Sequence, residues 1–216
     1  LGGGSVIDVA KFISVSNKDK DFEFVKSLTK GERKNEISNI IPLISIPTTS
    51  GTGSELTPYS TIWDNRNKKK YSLHLFNLFS EQAVYDPEIT LTVPKEITIQ
   101  TGLDALSHSL ESIWNKNANA LTIDYSVKSA KLIINNLPLL SNDLKNITLR
   151  KNMMMASMYA GLSISNTQTA IAHAISYYVT THKGIPHGIA CSFSLPYLID
   201  NIIGKYKFID DAIIKI

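Results

Sequence analysis

The sequence predicts an α/β segment followed by an all-helical one. Three observations carry this. A glycine-rich turn, Gly2-Gly3-Gly4-Ser5, opens directly into a helical pattern. Short β-type runs separated by polar, hydroxyl-rich loops follow as far as Pro87. Past Pro94 only helical periods remain, so the boundary falls near 90–95 and divides residues 1–93 from 94–216.

The elements follow in order. "SVIDVAKFISV", Ser5 to Val15, reads as a helix with Val6, Val9, Ala10 and Ile13 on one face and Ser5 as its cap. Residues 17–38 are polar and form a surface segment, with one short helix around Phe22 to Leu28. "IIPLISIPTT" reads as a buried strand from Ile41 to Ile46, running into the loop "TTSGTGSE". "YSTIW" and "YSLHLF" flank Asn65-Arg66-Asn67 as a hairpin, and "QAVYDP" is a last short strand ending at Pro87. Helices are then expected over 95–101, 103–116, 119–136, 142–163, 167–181, 186–202 and 206–216.

Composition narrows the function. The 216 residues are 43% hydrophobic and 19% charged, which reads as globular rather than disordered. The formal charge of +3, from 22 basic and 19 acidic residues, is too small to indicate nucleic acid. A single cysteine, Cys191, excludes an intrachain disulfide framework and points to a reducing compartment, so a cytoplasmic location is expected. No apolar run is long enough to cross a bilayer. The chain opens inside a turn that normally follows a buried strand, so it is expected to be a fragment.

Two loops offer anion sites. Gly2-Gly3-Gly4-Ser5 at a helix start presents backbone N–H groups and a positive dipole end with no side chains in the way. Thr48-Thr49-Ser50-Gly51-Thr52-Gly53-Ser54 is a second small, hydroxyl-rich loop after a strand. Either alone reads as an ordinary turn; together in one α/β unit they favour a nucleotide. The histidines are His74, His108, His173, His182 and His187. His74 reads as a strand residue without a role. In "GLDALSHSLES", Asp104 and His108 lie one helical turn apart and share a face, while the leucines turn to the core. His173 lies mid-helix, and His187 follows Pro186 in the first turn of the next helix, where the dipole keeps an imidazole neutral. Any one of these alone is more often a satisfied core residue. One carboxylate and three imidazoles on helices of one domain form a donor set suited to divalent iron or zinc.

These residues resemble the iron-containing (group III) alcohol dehydrogenases. The matching stretches are "GGGSVIDVAK", "PTTSGTGSE", "DPEIT", "GLDALSHSLES" and "GIPHG", in family order. The resemblance implies a partial Rossmann-like nucleotide-binding domain and a helical metal-binding domain of dehydroquinate synthase-like architecture, with cofactor and metal in a cleft between them. It implies Asp104, His108, His173 and His187 as ligands of Fe2+, with Zn2+ the alternative. Gly3, Gly4, Ser5 and Asp8 match the diphosphate turn and its neighbour; Thr48, Thr49, Thr52 and Ser54 match the loop along diphosphate and nicotinamide. Lys70 matches a lysine reaching the cofactor ribose. Most relatives carry a histidine where this chain has Tyr177, so proton relay falls to Tyr177 or His182. The stretch from Thr169 to Pro196 is similar to the phosphonoacetaldehyde reductase branch.

The implied function is hydride transfer between NAD or NADP and a small alcohol or aldehyde, with no nucleic-acid or membrane partner and a homodimer as one compatible assembly. The rivals are a lyase or cyclase on the dehydroquinate synthase-like scaffold, whose metal set generally includes Glu, and a non-catalytic metal-binding remnant.

Overall fold

The computed structural model describes residues 1–16, 22–33, 37, 39–64 and 66–216. They form two compact units, 1–47 with 54–85, and 48–53 with 86–216.

The first unit contains α1 (Gly4–Ser14), β1 (Val15–Ser16), α2 (Phe22–Thr29), β2 (Asn39–Ile40), β3 (Ile44–Ser45), β4 (Tyr59–Asp64), β5 (Lys69–His74) and β6 (Gln82–Ala83). The strands pair two by two: β1 with β2 antiparallel, β3 with β6 parallel, and β4 with β5 antiparallel. The hairpin expected around 65–67 is present, with Tyr59 opposite His74 and Asp64 opposite Lys69; Asn65 lies outside the described residues, as do 17–21, 34–36 and 38 of the polar segment. Phe12, Val15, Phe24, Val25, Leu28, Leu73, Leu75 and Leu78 form the core.

Three expectations fail here. The cap of α1 is Gly3, whose carbonyl accepts from Val6 and Ile7 N–H; Ser5 lies inside the first turn, exposed. The buried face of α1 is not the valine face. Val6 is 54% and Ile13 71% exposed, while Ile7, Lys11 and Phe12 are buried. Lys11 decides this, because its ammonium donates to the carbonyls of Ser54, Thr57 and Tyr59, which satisfy a charge inside the unit. Finally, Ile41 to Ile46 is no buried strand. Within it only Ile44–Ser45 is a strand, and Ile41 and Ile44 are exposed; Pro42 and Pro47 remove the donors a longer ladder needs.

The second unit opens with a 3-10 turn, Pro87–Thr90, capped by Asp86, whose side chain accepts from the N–H of Glu88 at 2.9 Å. It continues through α3 (Lys95–Ile113), α4 (Ala120–Leu140), α5 (Ile147–Thr167), α6 (Ile171–Lys183), α7 (His187–Ser192), α8 (Leu195–Ile202) and α9 (Lys207–Ile213). The expected break at 102 is absent. Gly102 serves close packing instead: a Cβ there would meet both methyls of Leu137 at 2.8 Å. The helix expected over 186–202 divides after Ser192. Apolar residues of α3, α4 and α5 form one core and those of α3, α4, α6, α8 and α9 another. Buried serines let α3, α4 and α5 approach closely. Ser109 bonds Ser129 at 2.7 Å, and Ser126 bonds Ser163 at 2.7 Å. No described helix is long and apolar enough to cross a membrane.

Candidate metal centre

The centre is built on α3. Asp104 and His108, one turn apart, are both 5% exposed. The start of α6 adds His173, and the start of α7 adds His187, with Pro186 as cap residue. Gly188 makes the last placement possible. A Cβ there would overlap the carbonyl oxygen of Gln100, so α7 abuts the backbone of α3 just where Asp104 leaves it.

The four side chains converge. Oδ1 of Asp104 lies 3.7 Å from Nε2 of His108, 3.4 Å from Nε2 of His173 and 3.9 Å from Nε2 of His187. The His108 and His173 rings stack at 4.7 Å, and His187 meets His173 edge-on at 5.5 Å. Asp104 Oδ1 and His173 Nε2 are buried without a hydrogen-bond partner. Two unpartnered polar atoms facing each other in a protein interior are costly unless something binds between them.

The electrostatics agree. Burial alone would raise the Asp104 carboxyl, yet the imidazoles of His108, His187 and His173 hold it well below the usual carboxylate range. Burial pushes His108 down, toward the neutral form a metal ligand needs. His173, despite burial, is held well above its ordinary value by Asp104, Cys191 and Glu111. Positive charge is thus favoured between the carboxylates of Asp104 and Glu111, the charge that a divalent cation on this donor set would supply.

Two neighbours escaped the sequence reading. Cys191, one turn beyond His187, has Sγ 3.6 Å from both ring nitrogens of that residue, and its thiol is pushed up by burial. One ligand atom each from Asp104, His173, His187 and Cys191 lies within 4.8 Å of the others, so a thiol borders the centre beside the carboxylate and imidazoles. Glu111 is fully buried and bonds the ring of His173. Its signal was present, since Asp104, His108 and Glu111 repeat at helical spacing on one face.

The remaining expected residues are distributed. Tyr177 stacks on His187 with ring centroids 6.5 Å apart, on the side of the centre. His182 is exposed at the end of α6, stacked on Tyr178 at 4.4 Å and bonded to Thr181. Thr48, Thr49 and Thr52 belong to the helical unit, half-buried, whereas Ser54 belongs to the first unit and is buried. Gly3, Gly4, Ser5, Asp8 and Lys70 also lie in the first unit. There Oδ2 of Asp8 accepts from Thr61 N–H at 3.0 Å, and the Lys70 ammonium sits 5.5 Å from the Trp63 ring. His74 faces Tyr59 in the same unit.

Comparison with known proteins gives the family. Residues 1–87 match the family model for iron-containing alcohol dehydrogenase, and residues 98–207 that of the Fe-containing alcohol dehydrogenase family, C-terminal. A sulfoacetaldehyde reductase of Bilophila wadsworthia is 35% identical over 99% of this chain and 55% of its own length. An alcohol dehydrogenase of Thermococcus barophilus is 35% identical over 95% of this chain and 54% of its own. Among solved structures, a sulfoacetaldehyde reductase from Bifidobacterium kashiwanohense in complex with NAD+ superposes at TM-score 0.86, with 31% identity, covering 100% of this chain and 62% of that one. The iron-containing alcohol dehydrogenase of Thermotoga maritima gives TM-score 0.86 and 35% identity, covering 99% of this chain and 57% of that one. The chain spans about half the length of the curated relatives it matches. With both family models matched in order along it, and a fold shared with solved members, the chain belongs to the iron-containing alcohol dehydrogenase family.

Proposed function

We propose that the protein transfers a hydride between a nicotinamide cofactor and a small alcohol or aldehyde, using a divalent metal, Fe2+ or alternatively Zn2+, held by Asp104, His108, His173 and His187. The observation that carries this is the convergence of three Nε2 atoms on one unpartnered carboxylate oxygen. When bound, the metal supplies Lewis-acid polarisation of a substrate oxygen, and the nicotinamide supplies the hydride. Asp104 contributes the charge, and the packing of α7 on α3 fixes His187. Tyr177, beside His187, donates a hydrogen bond to substrate or water.

For the cofactor, Gly3, Gly4 and Ser5 at the start of α1 offer N–H groups to a diphosphate, with Asp8 and Lys70 nearby in the same unit. Thr48, Thr49 and Thr52 offer hydroxyls from the helical unit, and Ser54 follows in the first. We assign residues 1–93 to the cofactor-binding portion and 94–216 to the metal-binding portion. NAD is favoured by the NAD+ complex of the bifidobacterial relative. For substrate, two relatives are named for sulfoacetaldehyde, which shares with phosphonoacetaldehyde a two-carbon aldehyde ending in a tetrahedral anion; we carry that class to this protein. The proposed ligands are one aspartate and three histidines, a different set from the Glu-containing one of the lyase or cyclase relatives, which disfavours that reading.

The test is metal analysis of the purified protein, then NADH and NADPH oxidation with sulfoacetaldehyde, phosphonoacetaldehyde and propionaldehyde. Metal at one equivalent per chain with turnover on either anionic aldehyde supports the reading. Metal binding without turnover on any of the three leaves the remnant; no metal sinks the centre.

A further inference from the structure

We infer that Glu111 is a positioning residue for the metal centre, holding His173 in the one tautomer that leaves Nε2 free for a ligand. This rests on the proposed metal centre, but its own evidence is separate. Glu111 is fully buried on α3, where an unpaired carboxylate is costly. Its Oε2 bonds Nδ1 of His173. Its Oε1 accepts from the backbone N–H of Ala172 at 2.6 Å and lies 3.4 Å from that of His173.

Those N–H groups are orphan donors of the first turn of α6, a helix whose own cap residue, Ala170, provides no side-chain bond. Glu111 therefore caps α6 from another helix, and the same carboxylate faces the ring that α6 carries. A carboxylate only accepts, so Nδ1 must carry the proton. Nε2 is then the nitrogen left over, and it is the unpartnered atom directed at Asp104. Backbone and ring are fixed by one group, which ties the helix end to the ligand atom.

Glu111→Gln separates the two roles, because Gln retains a carbonyl for the cap but offers an amide N–H toward Nδ1. We expect the wild type loaded with Zn2+ to show His173 protonated at Nδ1 and metal-bound at Nε2 by nitrogen-15 NMR. Glu111→Gln should weaken Zn2+ binding about 10- to 100-fold while remaining folded. An affinity within about twofold of wild type would overturn the inference, as would a Zn2+-bound His173 lacking the Nδ1 proton. Should the wild type bind no Zn2+, the metal centre falls, and the metal-free spectra decide this point separately. A hydrogen-bonded Nδ1–H lost in Glu111→Gln supports the inference; its absence from the wild type overturns it.

Discussion

Nε2 of His173 lies 3.4 Å from Oδ1 of Asp104, and neither atom has a hydrogen-bond partner although both are buried. A cation between them resolves both deficits at once. Added Zn2+ should therefore raise the melting temperature, by linkage of about 2.7 kcal/mol at a hundredfold excess over Kd. Asp104→Asn keeps the shape and removes the charge. It should abolish the metal-dependent shift in a thermal melt, and a shift equal to that of the wild type would disprove the role of Asp104.

Gly188 sets the height of α7 on α3. In Gly188→Ala the new methyl would overlap the Gln100 carbonyl, so α7 must move and carry His187 with it. Forced repacking of this kind costs roughly 1–3 kcal/mol. Calorimetry and metal titration on the variant should show lower stability together with weaker metal binding. Loss of stability with unchanged affinity would show that His187 is placed by something else.

The first unit carries its own pH dependence. Burial raises the Asp8 carboxyl to about 6, opposed by the Thr61 N–H, Lys11, Ser54 and Lys70. Between about pH 4 and 6 the folded chain holds a proton that the unfolded chain has released, so stability falls as pH rises through that window. Lys11 works in the opposite sense. Burial lowers it to about 8, so stability rises as pH climbs from there toward the unfolded value. Asp8 is half-buried, so its part is on the order of 1–2 kcal/mol after solvent screening. Urea midpoints read by Trp63 fluorescence in a Trp114→Phe background should decline from pH 4 to 6, and Asp8→Asn should flatten that limb. An unchanged slope in Asp8→Asn would assign the dependence to another group.

Much of the helical unit was legible because its signals are local. The stripe of leucines and the Asp104–His108 spacing depend only on helix geometry; α4 starts within one residue of its expected position, while α3 runs through the expected break and α5 starts five residues later than expected. The first unit was harder to read. The face of α1 was assigned by counting apolar residues, and Lys11 reversed it through carbonyls more than 40 positions away. No local pattern carries such a contact. Gly102 was read as a break because glycine usually is one, whereas its neighbour Leu137 requires it inside a continuous helix. Cys191 gains its relevance only from α7 folding onto α3, whereas Glu111 shares the helical spacing of Asp104 and His108 but meets its partner, His173, only once α6 packs there.

Tyr177 tests how the proton moves. It lies one turn beyond His173 on α6 and stacks on His187, so its phenol is on the side of the centre, while His182 is turned to solvent against Tyr178. A phenol donates a hydrogen bond readily but is a poor proton acceptor near neutral pH. In the proposed reaction the metal supplies most of the activation, so Tyr177→Phe should lower turnover by less than about tenfold, whereas loss of a true general acid costs about 100-fold or more. His173→Ala removes an Nε2 from the centre and should lose bound metal and turnover together. Turnover and metal content, measured on both variants, separate the cases. A Tyr177→Phe enzyme that keeps its metal but loses turnover 100-fold would give the phenol the proton transfer. An active, metal-replete His173→Ala would remove the centre itself, because that imidazole is the ring α6 brings to 3.4 Å from Asp104 Oδ1.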